Sequence, residues 1–89
     1  MSETAITLYT TTWCNDCRQA RQFLSERGVP FREIDIDEDP EAEELVIKVN
    51  GGRRKVPTIE RRGRYFACSP FDPQKLSLKL GIPRTGERA

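Results

Sequence analysis

The 89-residue sequence contains no histidine. That absence removes histidine general bases, the Cys–His nucleophile pair and every zinc site that needs imidazole. No apolar run approaches the roughly 20 residues of a membrane-spanning helix. Neither sign of charge is in excess: 15 Lys and Arg stand against 14 Asp and Glu, a net charge of +1. A general nucleic-acid binder is clearly basic, so this balance argues against that class. The start, MSETAITLY, has no basic segment followed by an apolar block, so no signal peptide is expected and the expected location is cytoplasmic. Cysteine is scarce and odd in number: Cys14, Cys17 and Cys68. Three cysteines make a poor disulfide framework. In a reducing compartment, a close pair points to catalysis or metal binding instead.

What is present reads as a single domain over residues 1–89. TAITLY (4–9) alternates and is rich in β-formers, which predicts a strand. From Cys14 the period changes: Cys17, Ala20, Phe23, Leu24 and Arg27 fall at helical spacing, predicting a helix over 15–27 closed by Gly28. FREIDI (31–36) is a second strand. Asp39 and Pro40 then open a second helix, with Ala42, Leu45, Val46 and Val49 as its buried stripe and Asn50-Gly51-Gly52 as its end. KVPTIE (55–60) and GRYFAC (63–68) flank a turn at Arg62-Gly63 and predict a hairpin. Asp72 and Pro73 start a last helix, with Leu76 and Leu80, and Leu78 beside them, packing inward until Gly81. The polar tail 82–89 is expected to fray. The order β-α-β-α-β-β-α, with one parallel crossover and one hairpin, gives an α/β fold: a four-stranded mixed sheet with three helices on its two faces. A monomer is the expected state.

The stretch TTWCNDC places two cysteines, three apart, where the first strand runs into the first helix. Disulfide exchange needs one exposed, ionised thiol and a second close enough to displace it. The free N–H groups and positive dipole end of a helix N-terminus favour a thiolate there. Cys14 is therefore the expected nucleophile, and Cys17, one turn further in, the resolving thiol. Asp16 opposes a thiolate by like-charge repulsion, while Arg18 and Arg21 on the next turn offset it. Two other readings compete. The pair could be inert core. Alternatively, Cys14, Cys17 and Cys68 could belong to a non-enzymatic metal-binding or partner-docking module. A closed zinc site needs four ligands, so a carboxylate would have to complete it, and no second CxxC is present.

Other residues extend the site. Trp13 is either a core aromatic or a flat surface beside the sulfur. Pro57 costs a ladder hydrogen bond, and residue type alone favours a trans proline at a sheet edge. Were the bond cis, Val56 would offer its backbone N–H and C=O to an extended peptide. Cys68 is best read as a small buried hydrophobe, with an accessory thiol as the rival. Arg53, Arg54, Lys55, Arg61, Arg62 and Arg64 surround the third strand. They read as solvated loops, or as an attraction for an anionic partner if they gather beside Pro57. Nucleic acid is not expected, because the acidic block 33–44 balances them and no aromatic platform interleaves them.

The first strand, WCNDC at the helix start and Val56-Pro57-Thr58 some forty residues on together resemble the glutaredoxin branch of the thioredoxin superfamily, over residues 4 to about 81. The resemblance implies a thioredoxin-like fold, a cis Pro57 beside the active site and dithiol–disulfide exchange led by Cys14. Trp13, Val56, Pro57, Thr58 and Ser69 are then the expected substrate-facing residues, with Asp16 and Arg18 modulating and no bound cofactor or metal. VNGG followed by VPT is similar to the actinobacterial mycoredoxins. SPFDP (69–73) resembles the Ser-Gly-Phe-Arg-Pro of NrdH-type redoxins, with Pro70 and Asp72 as departures. That likeness implies disulfide-containing protein substrates such as ribonucleotide reductase, with thioredoxin reductase as reductant. Glutathione-dependent glutaredoxins carry a Gly-Gly-x-Asp/Ser-Asp loop that holds the glutathione carboxylate, where this chain reads ACSPFD. Glutathione, another low-molecular-weight thiol and thioredoxin reductase all stand as reductants. The Cys-Gly-Phe-Ser of monothiol iron–sulfur carriers is absent.

Overall fold

A computed structural model describes residues 6–81. The elements follow in the order β1 (Ile6–Thr10), α1 (Asn15–Glu26), β2 (Arg32–Asp35), α2 (Pro40–Val49), β3 (Thr58–Arg61), β4 (Arg64–Ala67) and α3 (Pro73–Leu80). The four strands form one sheet in the order β2-β1-β3-β4. β1 and β2 are parallel, joined by the α1 crossover, whereas β3 lies antiparallel to both β1 and β4. This is the expected α/β, thioredoxin-like arrangement.

The pleat sorts the core. Ile6 and Leu8 of β1 join Ile59 of β3, Ala20, Phe23 and Leu24 of α1, Cys68, and Leu76 and Leu80 of α3 in one buried cluster. Tyr9, pointing the other way, joins Cys17, Ile36, Val56, and Ala42 and Val46 of α2 in a second. Each fully buried Leu or Ile contributes about 1.5–3 kcal/mol by leaving water. Arg27 covers the edge of this packing, with its guanidinium carbon 3.7 Å from the centre of the Phe23 ring and Nη1 donating to the Phe23 carbonyl.

The helix ends are set by side chains. Asp39 accepts from Ala42 N–H at 3.1 Å. Asp72 accepts from Gln74 and Lys75 N–H. The amide of Asn50 donates to Val46 O and to the Thr58 hydroxyl, tying the end of α2 to the start of β3. Gly81 stops α3 with φ 68°, a left-handed conformation that favours glycine.

Several expectations are corrected. β3 starts at Thr58 rather than Lys55, because Pro57 has no N–H to give the ladder. β2 is four residues long rather than six. Leu78 is 76% exposed and Val49 36%, so neither belongs to the core. On a helix Leu78 stands about 200° from Leu76, which turns it to solvent when Leu76 faces the sheet. Thr4, Ala5 and the expected frayed tail 82–89 lie outside the described residues.

Candidate active site

β1 ends at buried Thr10, buried Thr11 follows, and the next three residues bring the chain out to Cys14. Cys14 is the N-cap of α1, in extended backbone conformation. Its sulfur takes the place of the usual capping oxygen, accepting the Cys17 N–H at 3.1 Å. The Cys14 thiol in turn donates to the Val56 carbonyl at 3.7 Å. Cys14 is half-buried, while Cys17 has no exposed surface. Burial pushes the Cys17 thiol far above the ordinary range, and its hydrogen bond with Cys14 pushes the same way. Cys17 is therefore a neutral thiol at neutral pH.

The facing wall comes from the segment before β3. The Val56–Pro57 bond is cis, and Pro57 O accepts the Cys68 N–H at 2.9 Å. Trp13, Cys14, Asn15, Asp16, Val56 and Ser69 line an open groove of about 330 Å³, closed on one side by Arg54 and Lys55. The Trp13 ring is 68% exposed, and its indole N–H donates to Asp37 at 3.2 Å. Thr58, expected to face substrate, is fully buried instead. Its hydroxyl donates to Lys55 O at 2.7 Å, which shapes the turn before Pro57 rather than the groove. Arg18 is exposed, and Arg21 is held by Glu33 through Nε at 2.9 Å.

The model of the family described as Glutaredoxin matches residues 6–66. The chain belongs to the glutaredoxin family. The glutaredoxin-like protein NrdH of Lactococcus lactis is 39% identical over 81% of this chain and 94% of its own length. Mycoredoxin 1 of Corynebacterium glutamicum is 40% identical over 74% of this chain and 81% of its own. Among solved structures, the glutaredoxin-like NrdH-redoxin of Escherichia coli superposes with a TM-score of 0.63 at 28% identity, covering 71% of this chain and 80% of that one. This glutaredoxin is a thiol–disulfide oxidoreductase with a redox-type CxxC pair at its first helix.

Within this glutaredoxin the remaining candidates separate clearly. Cys68 is fully buried, and burial raises its pKa. Its thiol donates to Asp72 O at 3.6 Å and accepts the Asp72 N–H at 3.4 Å, tying the end of β4 to the cap of α3. It packs in the first core cluster and Cys17 in the second. Among the described residues no three Cys, Asp or Glu side chains gather as a metal-holding group. The basic run divides: Arg54 and Lys55 flank the groove, whereas Arg61, Arg62 and Arg64 border a separate hollow with Phe66 and Lys79.

Three features were missed from sequence. Glu33 accepts from Arg21 and also from the Thr10 hydroxyl at 2.8 Å, and Arg21 holds its carboxyl below the usual carboxylate range. Arg54 pairs with both Asp37 and Glu43, joining the groove to α2. Asp16 accepts from Phe71 N–H at 3.2 Å and from the Ser69 hydroxyl at 3.4 Å, beside a second cis bond, Ser69–Pro70. All join residues distant in sequence, so no local pattern announces them.

Proposed function

We propose that this protein reduces disulfides by a dithiol cycle in which Cys14 attacks and Cys17 resolves. The observation that carries the assignment is the contrast at one helix end. The Cys14 sulfur reaches the groove and receives the Cys17 N–H, while Cys17 is sealed beneath it. The Cys14 thiolate attacks one sulfur of a substrate disulfide, and the other sulfur leaves as a thiolate that takes up a proton. Cys17 then loses its proton and attacks the Cys14 sulfur, releasing the second substrate thiol. The protein is left with a Cys14–Cys17 disulfide and the substrate has gained two electrons and two protons. A low-molecular-weight thiol or thioredoxin reductase returns the pair to the dithiol. Trp13, Val56 and Ser69 line the groove and border the substrate in this reading, while the fully buried Pro57 holds the Val56 wall in place. The likeness to NrdH proteins supports a protein disulfide as substrate, with ribonucleotide reductase as the candidate. We place the reaction in the cytoplasm and assign it to one domain acting as a monomer.

The test is reduction of a disulfide by the purified protein with NADPH. One arm supplies glutathione with glutathione reductase, the other thioredoxin reductase. Turnover in either arm identifies the reductant, and Cys14→Ser must abolish it. Cys17→Ser must trap a mixed disulfide on Cys14, visible as added mass. Failure to form any Cys14–Cys17 bridge under oxidation refutes the cycle.

A further inference from the structure

Asp16 is an unusual neighbour for a thiol that must ionise. It stands two residues after Cys14 on the first turn of α1, and its carboxylate lies in the wall of the same groove. It is not directed freely at solvent. Phe71 N–H and the Ser69 hydroxyl, on the loop between β4 and α3, both donate to it. Both are donors of this loop, and the chain's own carboxylate occupies them. The segment before β3 supplies the groove's cations. Arg54 there is engaged by Asp37 and Glu43, which leaves Lys55 as the cation whose charge no carboxylate among the described residues neutralises. The groove thus carries a carboxylate, Asp16, tied to the Ser69 loop and a cation, Lys55, unpaired among the described residues, on the segment before β3.

We propose that Asp16 is a charge filter for the Cys14 reaction: by filling the donors of the Ser69–Phe71 loop with a carboxylate, it turns away disulfides that carry an anion on that side. The favoured substrate class is a disulfide with a cationic or neutral group toward Asp16, and one whose anionic groups, if any, lie toward Lys55. Asp16 acts on which disulfide approaches, and the bonds made and broken remain those of the Cys14 attack. The inference rests on the reading of Cys14 as nucleophile.

The experiment measures the rate at which the reduced protein is oxidised by three small disulfides: cystamine, a dication; 3,3′-dithiodipropionate, a dianion; and 2-hydroxyethyl disulfide, which is neutral. The neutral probe normalises any change in the intrinsic reactivity of the thiol. Asp16→Asn keeps an acceptor for Phe71 N–H and removes the charge, and Asp16→Ala removes both. Removing a unit charge at contact range in water changes each charged probe's rate about fivefold, in opposite directions for the two, so the ratio of cation to anion rates is expected to fall about 25-fold in both variants. Lys55→Gln is expected to raise the same ratio, and both shifts should fade near 1 M salt, where the screening length is about 3 Å. An unchanged ratio in Asp16→Asn overturns the charge filter. A purely structural latch would slow all three probes alike in Asp16→Ala and leave Asp16→Asn as wild type. If the folded wild-type protein is oxidised by none of the probes, or Cys14→Ser reacts as fast, the nucleophile assignment itself fails.

Discussion

Alkaline pH should loosen the reduced protein through two thiols that it buries. Cys17 and Cys68 are both fully buried, and burial raises both pKa values. In the unfolded chain each ionises near pH 8.5. A pKa raised by folding means that the unfolded chain loses its proton first, so the stability is intact below about pH 8.5 and declines as pH rises. The slope is about 1.4 kcal/mol per pH unit for each thiol held protonated by the fold. Between about pH 7 and about pH 10 that amounts to roughly 2 kcal/mol for Cys17, and Cys68 adds a loss of the same sign. Tyr9 is also raised by burial, but with an ordinary value near 10 it contributes only at the upper edge of this window, about 0.4 kcal/mol. Domains are stable by about 5–15 kcal/mol, so the loss is a large fraction of the whole. Urea unfolding followed by circular dichroism, in a phosphine reductant across this range, measures it. Oxidation supplies the control: a Cys17 locked in a bridge has no proton to lose, so the slope should drop by one thiol's share. Cys68→Ala should remove the other share. Equal stability at both ends of the range, or a slope indifferent to both changes, refutes the reasoning.

Asp72→Ala should cost about 1 kcal/mol by uncapping Gln74 and Lys75, with Asp72→Asn recovering most of it, as read from thermal melts. Leu76→Ala should cost about 2–5 kcal/mol, because Leu76 is fully buried between α3 and the sheet. Leu78→Ala, at an exposed position on the same helix, should stay within about 0.5 kcal/mol in the same urea titration. Glu33→Gln should cost below about 1 kcal/mol, since the Arg21 pair is about a third exposed and solvent screens it. Folding lowers the Glu33 pKa, so its contribution is present at neutral pH and disappears as pH falls through the carboxylate range. The acid limb of a stability curve should be shallower in the variant.

The helices were legible because their ends are written locally. Asp39-Pro40 and Asp72-Pro73 supply a cap and a first-turn proline, and Gly28 and Gly81 have the positive φ that ends a helix. The CxxC was legible because its spacing is one helical turn and it follows a strand. The start of β3 was not, since alternation continues through Lys55-Val56-Pro57 while the ladder cannot. Thr58 looked like part of the groove because it adjoins Pro57, yet its hydroxyl is taken by Asn50 and Lys55 O. The partners of Asp16, Arg54 and Glu33 depend on how the α1, α2 and Ser69 segments meet, and residue spacing carries no record of that meeting.

The strand order β2-β1-β3-β4 puts β1 and β3 in the middle, and these are the two strands that lead into Cys14 and out of Pro57. Either rim can fray while the inner pair stays zipped. Amide exchange opens proteins from their margins, and many working segments sit in the part that opens first. Here the sulfur proposed to react is mounted on the strands expected to open last. The amides of Leu8 and Ile59 should be among the slowest to take up deuterium, a short distance along the strands from the sulfur proposed to attack substrate. Turnover then asks the substrate to do the bending, and the protein serves as the anvil.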